Sequence, residues 1–320
     1  MNRREFIGAG ASLVAGTALL DGVAFAQQTS IVIATGGTGG VYYPLGGGMG
    51  NILTKHLGYA ATARVTGGSV DNMKLVGSKQ AEMALTQVDA AYDALKGEDK
   101  FKGAPLPIRQ LMVLYPNRMH VVTVDGKGIE KMADLKGKRV STGSPGSATE
   151  VFAFRCIEMA GLDKDKDMRR ERLGVAESTN AVKDGKIDAY FWVGGLPTAA
   201  VTDLGASPGI KIKLVDTADL VAKMNEKYNN LYTTGMIPAK MYPGQEKDNP
   251  VAVIQNILAA HESMSDKVAY DIVKLFIEKR DELVAVHGEA ASITLENQKT
   301  SPIPWHPAAQ KYFTERGVKV

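Results

Sequence analysis

Residues 31–50, IVIATGGTGGVYYPLGGGMG, leave this chain few ways to fold. Ile31, Val32, Ile33 and Ala34 read as a short buried strand, followed by a glycine-rich turn that passes Pro44 into an apolar helix ending near Leu57. A strand that opens into exposed backbone N–H groups at a helix start offers donors and the positive end of the helix dipole. That suits a phosphate or a carboxylate. Tyr42 and Tyr43 add an aromatic wall with hydroxyl tips. A flexible turn with no ligand is the plain alternative. Gly37-Thr38-Gly39-Gly40-Val41-Tyr42 lacks the last glycine of G-x-G-x-x-G, and no Gly-Lys-Ser/Thr follows, so neither nucleotide motif is met. No cofactor is implied.

The chain has 320 residues, 44% hydrophobic and 23% charged, enough for roughly two domains with substantial cores. Residues 1–26 read as a secretory leader of twin-arginine type: Arg3-Arg4, an apolar run, then Ala24-Phe25-Ala26 as the cleavage site. Its loss removes Arg3, Arg4, Glu5 and Asp21 and leaves the net charge at +3, too little to argue for nucleic acid. The expected location is the periplasm. Cys156 is the only cysteine, so no internal disulfide is available; amid Val151, Phe152, Phe154 and Ile157 it reads as a buried structural thiol.

The opening junction recurs along the chain. Residues 62–66 form a strand leading into Gly67-Gly68-Ser69, with Ser69 expected to cap a helix over 70–76. Asn72, one turn in, either points back over that helix start or is solvated. Residues 82–86 form the next strand, with Gln87 and Asp89 at its end before a helix over 90–95. Carboxyl ends of strands are where α/β sheets bind ligands.

A strand over 108–115 ends at Tyr115-Pro116, and 119–124 resumes strand character as a crossing between two bodies. In the second body, Ser141-Thr142-Gly143-Ser144-Pro145-Gly146-Ser147 delivers a hydroxyl-rich loop into a helix over 150–160. Thr142 stands where a nucleophile elbow needs glycine, and the five histidines form no Ser/Asp/His order, so no catalytic residue is assigned. A strand over 187–193 places Trp192 before Gly194-Gly195, as core or as ligand wall, and Leu196-Pro197 opens a further helix. Residues 251–259 read as the return crossing, 267–286 as one long amphipathic helix, and Pro307 as a helix start after Trp305 and His306.

Taken together, GGTGGVYYPLGGGMGNIL, TGGSVDNMKLV, LTQVDAAYDAL, LKGKRVSTGSPGSATE, GKIDAYFWVGGLPT and LENQKTSPIPWHPAAQKYF resemble the TAXI family of TRAP-transporter solute receptors over essentially the whole mature chain. The resemblance implies an α/β, two-lobed type II periplasmic binding protein with a hinged ligand cleft. Lobe I is expected over 27–118 and 257–320, lobe II over 119–256. It implies a monomer that is no enzyme and binds no metal, holding glutamate or a related dicarboxylate or oxo acid such as 2-oxoglutarate for delivery to TRAP membrane subunits. By motif it points to Gly39, Tyr43, Ser69, Asn72, Gln87, Asp89 and Tyr115 in the first lobe. In the second it points to Ser144, Gly146, Ser147, Trp192, Gly194 and Gly195. Asp89 either meets a ligand ammonium or caps the helix that begins at Ala90, and Arg118 either contacts an acidic ligand or stays in solvent.

Two rivals stand beside this reading. A binding protein that feeds a sensor kinase has the same sequence signature. An exported oxidoreductase rests on Tyr92 and Lys96, which have Tyr-x-x-x-Lys spacing but fall too early after the glycine loop.

Overall fold

The computed structural model of the chain describes residues 28–298 and 301–320; the leader expected over 1–26 lies outside them. β1 (Ser30–Ala34) lies between β2 (Ala60–Arg64) and β3 (Met83–Gln87), all parallel. Each runs into a helix: α1 (Tyr42–Leu57), α2 (Ser69–Gly77) and α3 (Val88–Lys96). Parallel strands put their carboxyl ends on one edge, so three loops and three helix starts gather there.

β4 (Ile108–Val124) then carries the chain into a second set. Here β5 (Arg139–Ser141) pairs in parallel with β6 (Arg169–Glu171) and β7 (Ala189–Gly194), interleaved with α4 (Ala148–Met159), α5 (Val175–Lys183) and α6 (Ala199–Gly205). β8 (Ile212–Leu214), α7 (Val221–Lys227) and β9 (Thr233–Ile237) complete it. β10 (Asn249–His261) returns the chain, and α8 (Asp266–Glu278), α9 (Arg280–Val286) and α10 (Pro307–Glu315) close the fold.

The result is a two-lobed α/β protein whose lobes share an unbroken ladder, β2-β1-β3-β10-β4-β7-β5-β6. β4 and β10 are antiparallel partners that run through both halves. Asn256 to Ala260 of β10 pair with β3, while Asn249 to Val253 pair with β9. Arg118 to Thr123 of β4 pair with β7. The crossing is therefore one 17-residue strand where the sequence suggested an end at Tyr115-Pro116. Pro116 sits opposite Gln255, next to a register shift between Gln255 and Ile257, an irregularity that accommodates a residue with no N–H to donate.

The expected long helix over 267–286 is also corrected: it breaks at Lys279 into α8 and α9. Ser265 caps α8, accepting from the Val268 N–H at 3.3 Å. Ile272, Val273 and Phe276 of α8 share a buried cluster with Leu45, Met49 and Leu85. Burial of such side chains is worth about 1.5–3 kcal/mol each, which anchors α8 to the half that holds β1–β3. His306 caps α10 with Pro307 at its first position, and Trp305 packs edge-on against Phe313 at 5.4 Å. Cys156 is buried with its sulfur 3.9 Å from that of Met224, and burial pushes its thiol pKa up.

Candidate functional site

A cavity of about 260 Å³ lies where the strand-end loops of the two halves meet. The first half supplies residues 36–42, 65–69, Gln87, Tyr115 and Asn117; the second supplies Ser144, residues 147–149, 174–177 and 192–194. The starts of α1, α2, α3, α4 and α5 all adjoin it. Of these, only α4 has its N-terminus capped by a side chain, through Ser147 Oγ on the Glu150 N–H at 3.1 Å. Backbone donors and dipole ends thus converge on one small volume, as an anion requires.

The lining holds no Lys, Arg or His among the described residues, and one acid, Glu177. That carboxylate folds back over the start of its own helix, with Oε2 2.4 Å from where a β-carbon on Gly174 would stand. It serves α5 as a built-in anion, leaving the uncapped starts of α1 and α2 to a ligand.

The floor is polar. Gln87 Oε1, Tyr115 OH and Asn117 Oδ1 are buried lining groups without a protein partner. Buried polar atoms are normally paired, and these three exceptions all belong to residues that line the cavity. Burial raises the phenol pKa of both Tyr42 and Tyr115, keeping them neutral hydrogen-bonding groups.

The halves touch around the cavity. Ser144 Oγ donates to the Gly67 carbonyl at 2.9 Å, the Asp71 N–H to the Gly146 carbonyl at 3.0 Å, and the Ala200 N–H to the Gly39 carbonyl at 3.4 Å. Gly146 has φ +79°, and a β-carbon there would lie 2.3 Å from the Asp71 carboxylate, so both backbone and contact demand glycine. Trp192 forms a wall, its Nε1 donating to Thr198 Oγ1 at 2.9 Å.

A model of the NMT1-like family matches residues 33–317. The chain belongs to the NMT1-like family. It is also similar to solved structures. One, from Bordetella bronchiseptica RB50, is 18% identical, with 90% of this chain and 89% of that one covered and a TM-score of 0.53. The binding protein component of an ABC phosphonate transporter from Pseudomonas aeruginosa is 10% identical, with 82% and 79% covered and a TM-score of 0.53. A putative L-cystine ABC transporter from Listeria monocytogenes is 16% identical, with 85% and 99% covered and a TM-score of 0.50. At these identities the likeness shows the fold, that of two-lobed solute-binding proteins.

In this NMT1-like chain the cavity gathers Gly39, Ser69, Gln87, Tyr115, Ser144, Ser147, Trp192 and Gly194 from the thirteen residues nominated by sequence. The other five stand elsewhere. Tyr43 is turned to the surface at 37% exposure, and its neighbour Tyr42 lines the cavity instead. Asn72 is a buried clamp whose Nδ2 donates to the carbonyls of Thr35 at 2.6 Å and Leu85 at 2.7 Å, tying the ends of β1 and β3 together. Gly146 is taken up by its contact with Asp71, and Gly195 lies against Tyr115 and Glu289.

Asp89 is fully buried away from the lining. Its Oδ1 accepts from the Ala90 N–H at 2.8 Å, and its Oδ2 accepts from Tyr232 OH at 2.9 Å and lies 3.7 Å from Arg155 Nη1. Burial raises the Asp89 pKa and Arg155 counters it. Arg118 neither meets the cavity nor stays in solvent: it pairs with Glu289 at 2.7 Å. Ser69 is helical rather than a cap, and its Oγ accepts from the Gln87 N–H at 3.2 Å. The thirteen omit Tyr42, read only as an aromatic wall beside Tyr43, and Asn117, Thr149 and residues 174–177. The signal that marks Gly174 to Glu177 is another strand-to-helix junction, hidden by the shortness of β6. Tyr92 and Lys96 sit on α3 outside the lining.

Proposed function

We propose that this NMT1-like protein is an exported solute-binding receptor that captures a small organic acid, glutamate or a related dicarboxylate or oxo acid, and hands it to a TRAP-type membrane transporter. The observation that carries the reading is the convergence of helix starts from both lobes, those of α1 and α2 uncapped, on a single cavity without a cationic side chain. A carboxylate held there gains charge-assisted hydrogen bonds from backbone N–H groups and hydroxyls. Ser69, Gln87, Tyr115, Ser144, Ser147 and Trp192 are proposed as ligand contacts, joined by Tyr42, Asn117 and Thr149. The lobes are proposed to divide at 118/119 and 256/257 and to hinge on β4 and β10, so that a ligand touching both halves favours closure. Residues 1–26 are proposed to be removed on export to the periplasm. No helix among the described residues is long and apolar enough to cross a membrane, which accords with that location. The transporter assignment rests on the sequence resemblance described above.

The test is a thermal-shift screen of the purified mature protein with glutamate, glutamine, 2-oxoglutarate, succinate and neutral amino acids. A ligand at a hundred times its dissociation constant adds about 2.7 kcal/mol of stability. A shift with one of the acids is expected, and none with any acid overturns the substrate class.

A further inference from the structure

The one polar atom of the Trp192 side chain is spent behind the cavity wall. Its indole N–H donates to Thr198 Oγ1 at 2.9 Å, and the hydroxyl of Thr198, itself fully buried, donates to the Gly195 carbonyl at 2.8 Å. The other end of that peptide unit, the Leu196 N–H, donates to Oε1 of Glu289 at 2.6 Å. Glu289 is buried, is not among the lining residues, and precedes Ala290, which packs in the first-lobe cluster with Leu45 and Met49. A carboxylate of one lobe therefore ends a row of hydrogen bonds that begins at the cavity wall of the other.

Each link runs one way. Indole and peptide N–H groups only donate, and a carbonyl and a carboxylate only accept, so the Thr198 proton points to Gly195 and the whole row runs from Trp192 to Glu289. Aligned bonds that end on an anion polarise one another. Arg118 balances the carboxylate at 2.7 Å and donates to the Pro116 carbonyl at 2.9 Å, which fixes the end of the row to β4. Thr198 is anchored separately, its N–H donating to Tyr242 OH at 3.1 Å, so the link free to turn is the Gly195–Leu196 peptide. A β-carbon on Gly195 would lie 2.8 Å from Glu289 Cγ, so glycine admits the carboxylate, and the same glycine leaves the peptide loose without it.

We propose that Glu289 is a positioning residue: from the first lobe it fixes the Gly195–Leu196 peptide of the second, and through Thr198 it fixes the indole of Trp192, the wall of the ligand cavity. The ligand arm of the test rests on the organic-acid reading, while the hold on the indole does not.

Two measurements decide it. NMR in a Trp305→Phe background reads hydrogen exchange at the one remaining indole N–H, with no ligand needed. Trp192 and Thr198 both lie in the second lobe, so opening of the cleft leaves their bond intact and the exchange reports the row itself. Glu289→Ala is expected to exchange at least about tenfold faster than wild type, and Glu289→Gln, which keeps an accepting oxygen, within about threefold of it. Wild-type exchange in Glu289→Ala, even with a lowered melting temperature, makes the residue merely structural and overturns the proposal. Equal acceleration in both variants makes it only the counter-ion of Arg118 and overturns it as well. Calorimetry with glutamate, 2-oxoglutarate and succinate then reads the site. Glu289→Ala is expected to weaken whichever acid binds by at least about tenfold, and Glu289→Gln by no more than about threefold. Unchanged affinity in Glu289→Ala overturns the proposal. If wild type binds none of the three, the organic-acid reading falls, and the exchange result alone decides the role of Glu289.

Discussion

The indole of Trp192 rests on Gly40 across the cleft, so close that a β-carbon on Gly40 would lie 2.7 Å from ring atom Cη2. Gly40 belongs to the first lobe and Trp192 to the second, so this contact exists only when the lobes are together. Gly40→Ala is expected to hold the lobes apart without disturbing either core. Overpacking of this kind costs about 1–3 kcal/mol, or roughly five- to a hundredfold in ligand affinity. Calorimetry checks the affinity, and Trp192 emission with Trp305→Phe in the background checks the closure. Unchanged affinity removes the contact from the closing mechanism.

Ser147 and Ser69 separate on stability. Ser147 Oγ caps α4 and also donates to the Ser144 carbonyl at 2.7 Å, so Ser147→Ala is expected to lower unfolding free energy by about 1 kcal/mol. Ser69 has its hydroxyl proton free for ligand or Tyr42, and Ser69→Ala is expected to weaken binding by roughly tenfold or more. Urea melts and titrations on both variants read the two effects. Equal melting of Ser147→Ala and wild type counts against the cap.

Arg155 joins the lobes from behind the cavity. Its guanidinium donates to Asp93 Oδ2 at 2.6 Å and to Tyr232 OH at 2.7 Å, beside Asp89. Arg155→Met leaves two buried carboxylates without their cation and is expected to cost about 3–5 kcal/mol near neutral pH. The loss is expected to shrink as pH falls below about 6, where the Asp93 carboxyl takes up its proton. Asp89→Asn, outside the lining, is expected to change ligand affinity by no more than about twofold. A ligand preference that depends on Asp89 would return it to the site.

Two buried groups impose opposite pH trends. Burial lowers the His120 pKa from 6.5 to about 4, with Nε2 2.8 Å from Tyr242 OH and Nδ1 2.9 Å from the Arg118 carbonyl. The unfolded chain binds more protons between these values, so this group's contribution is present above pH 6.5 and is lost as pH falls toward 4. Burial raises the Asp93 pKa from 3.8 to about 6, only partly offset by Arg155. Here the folded state binds the extra proton, so that contribution is present below pH 3.8 and is lost as pH rises through 6. Wild-type stability is expected to change little between pH 4.5 and 6, because the two slopes oppose. Replacing His120 by Asn should leave a curve that declines with pH over this window, and chemical denaturation at several pH values checks it.

Much of this was legible because strand-to-loop-to-helix junctions are local patterns. Glycine- and hydroxyl-rich loops after apolar runs located Gly39, Ser69, Gln87, Ser144, Ser147 and Trp192 at the cavity. What failed was phase and partnership. Tyr42 and Tyr43 differ by one helical step of about 100°, and only the start of α1 decides which of them faces inward. Asp89 looked like a strand-end ligand group because its partners, Arg155 and Tyr232, lie far along the chain in the other lobe. Asn72 stood out by its motif, but what it holds, like what Asn256 holds, depends on carbonyls of distant strands.

The ties that hold the lobes together have a consequence for traffic. Those from Ser144 to Gly67, Asp71 to Gly146 and Ala200 to Gly39 use protein atoms alone, each worth about 0.5–1.5 kcal/mol. Under the receptor reading proposed above, a ligand that touches both halves adds to these ties, so the closed form is expected to last longer when it is occupied.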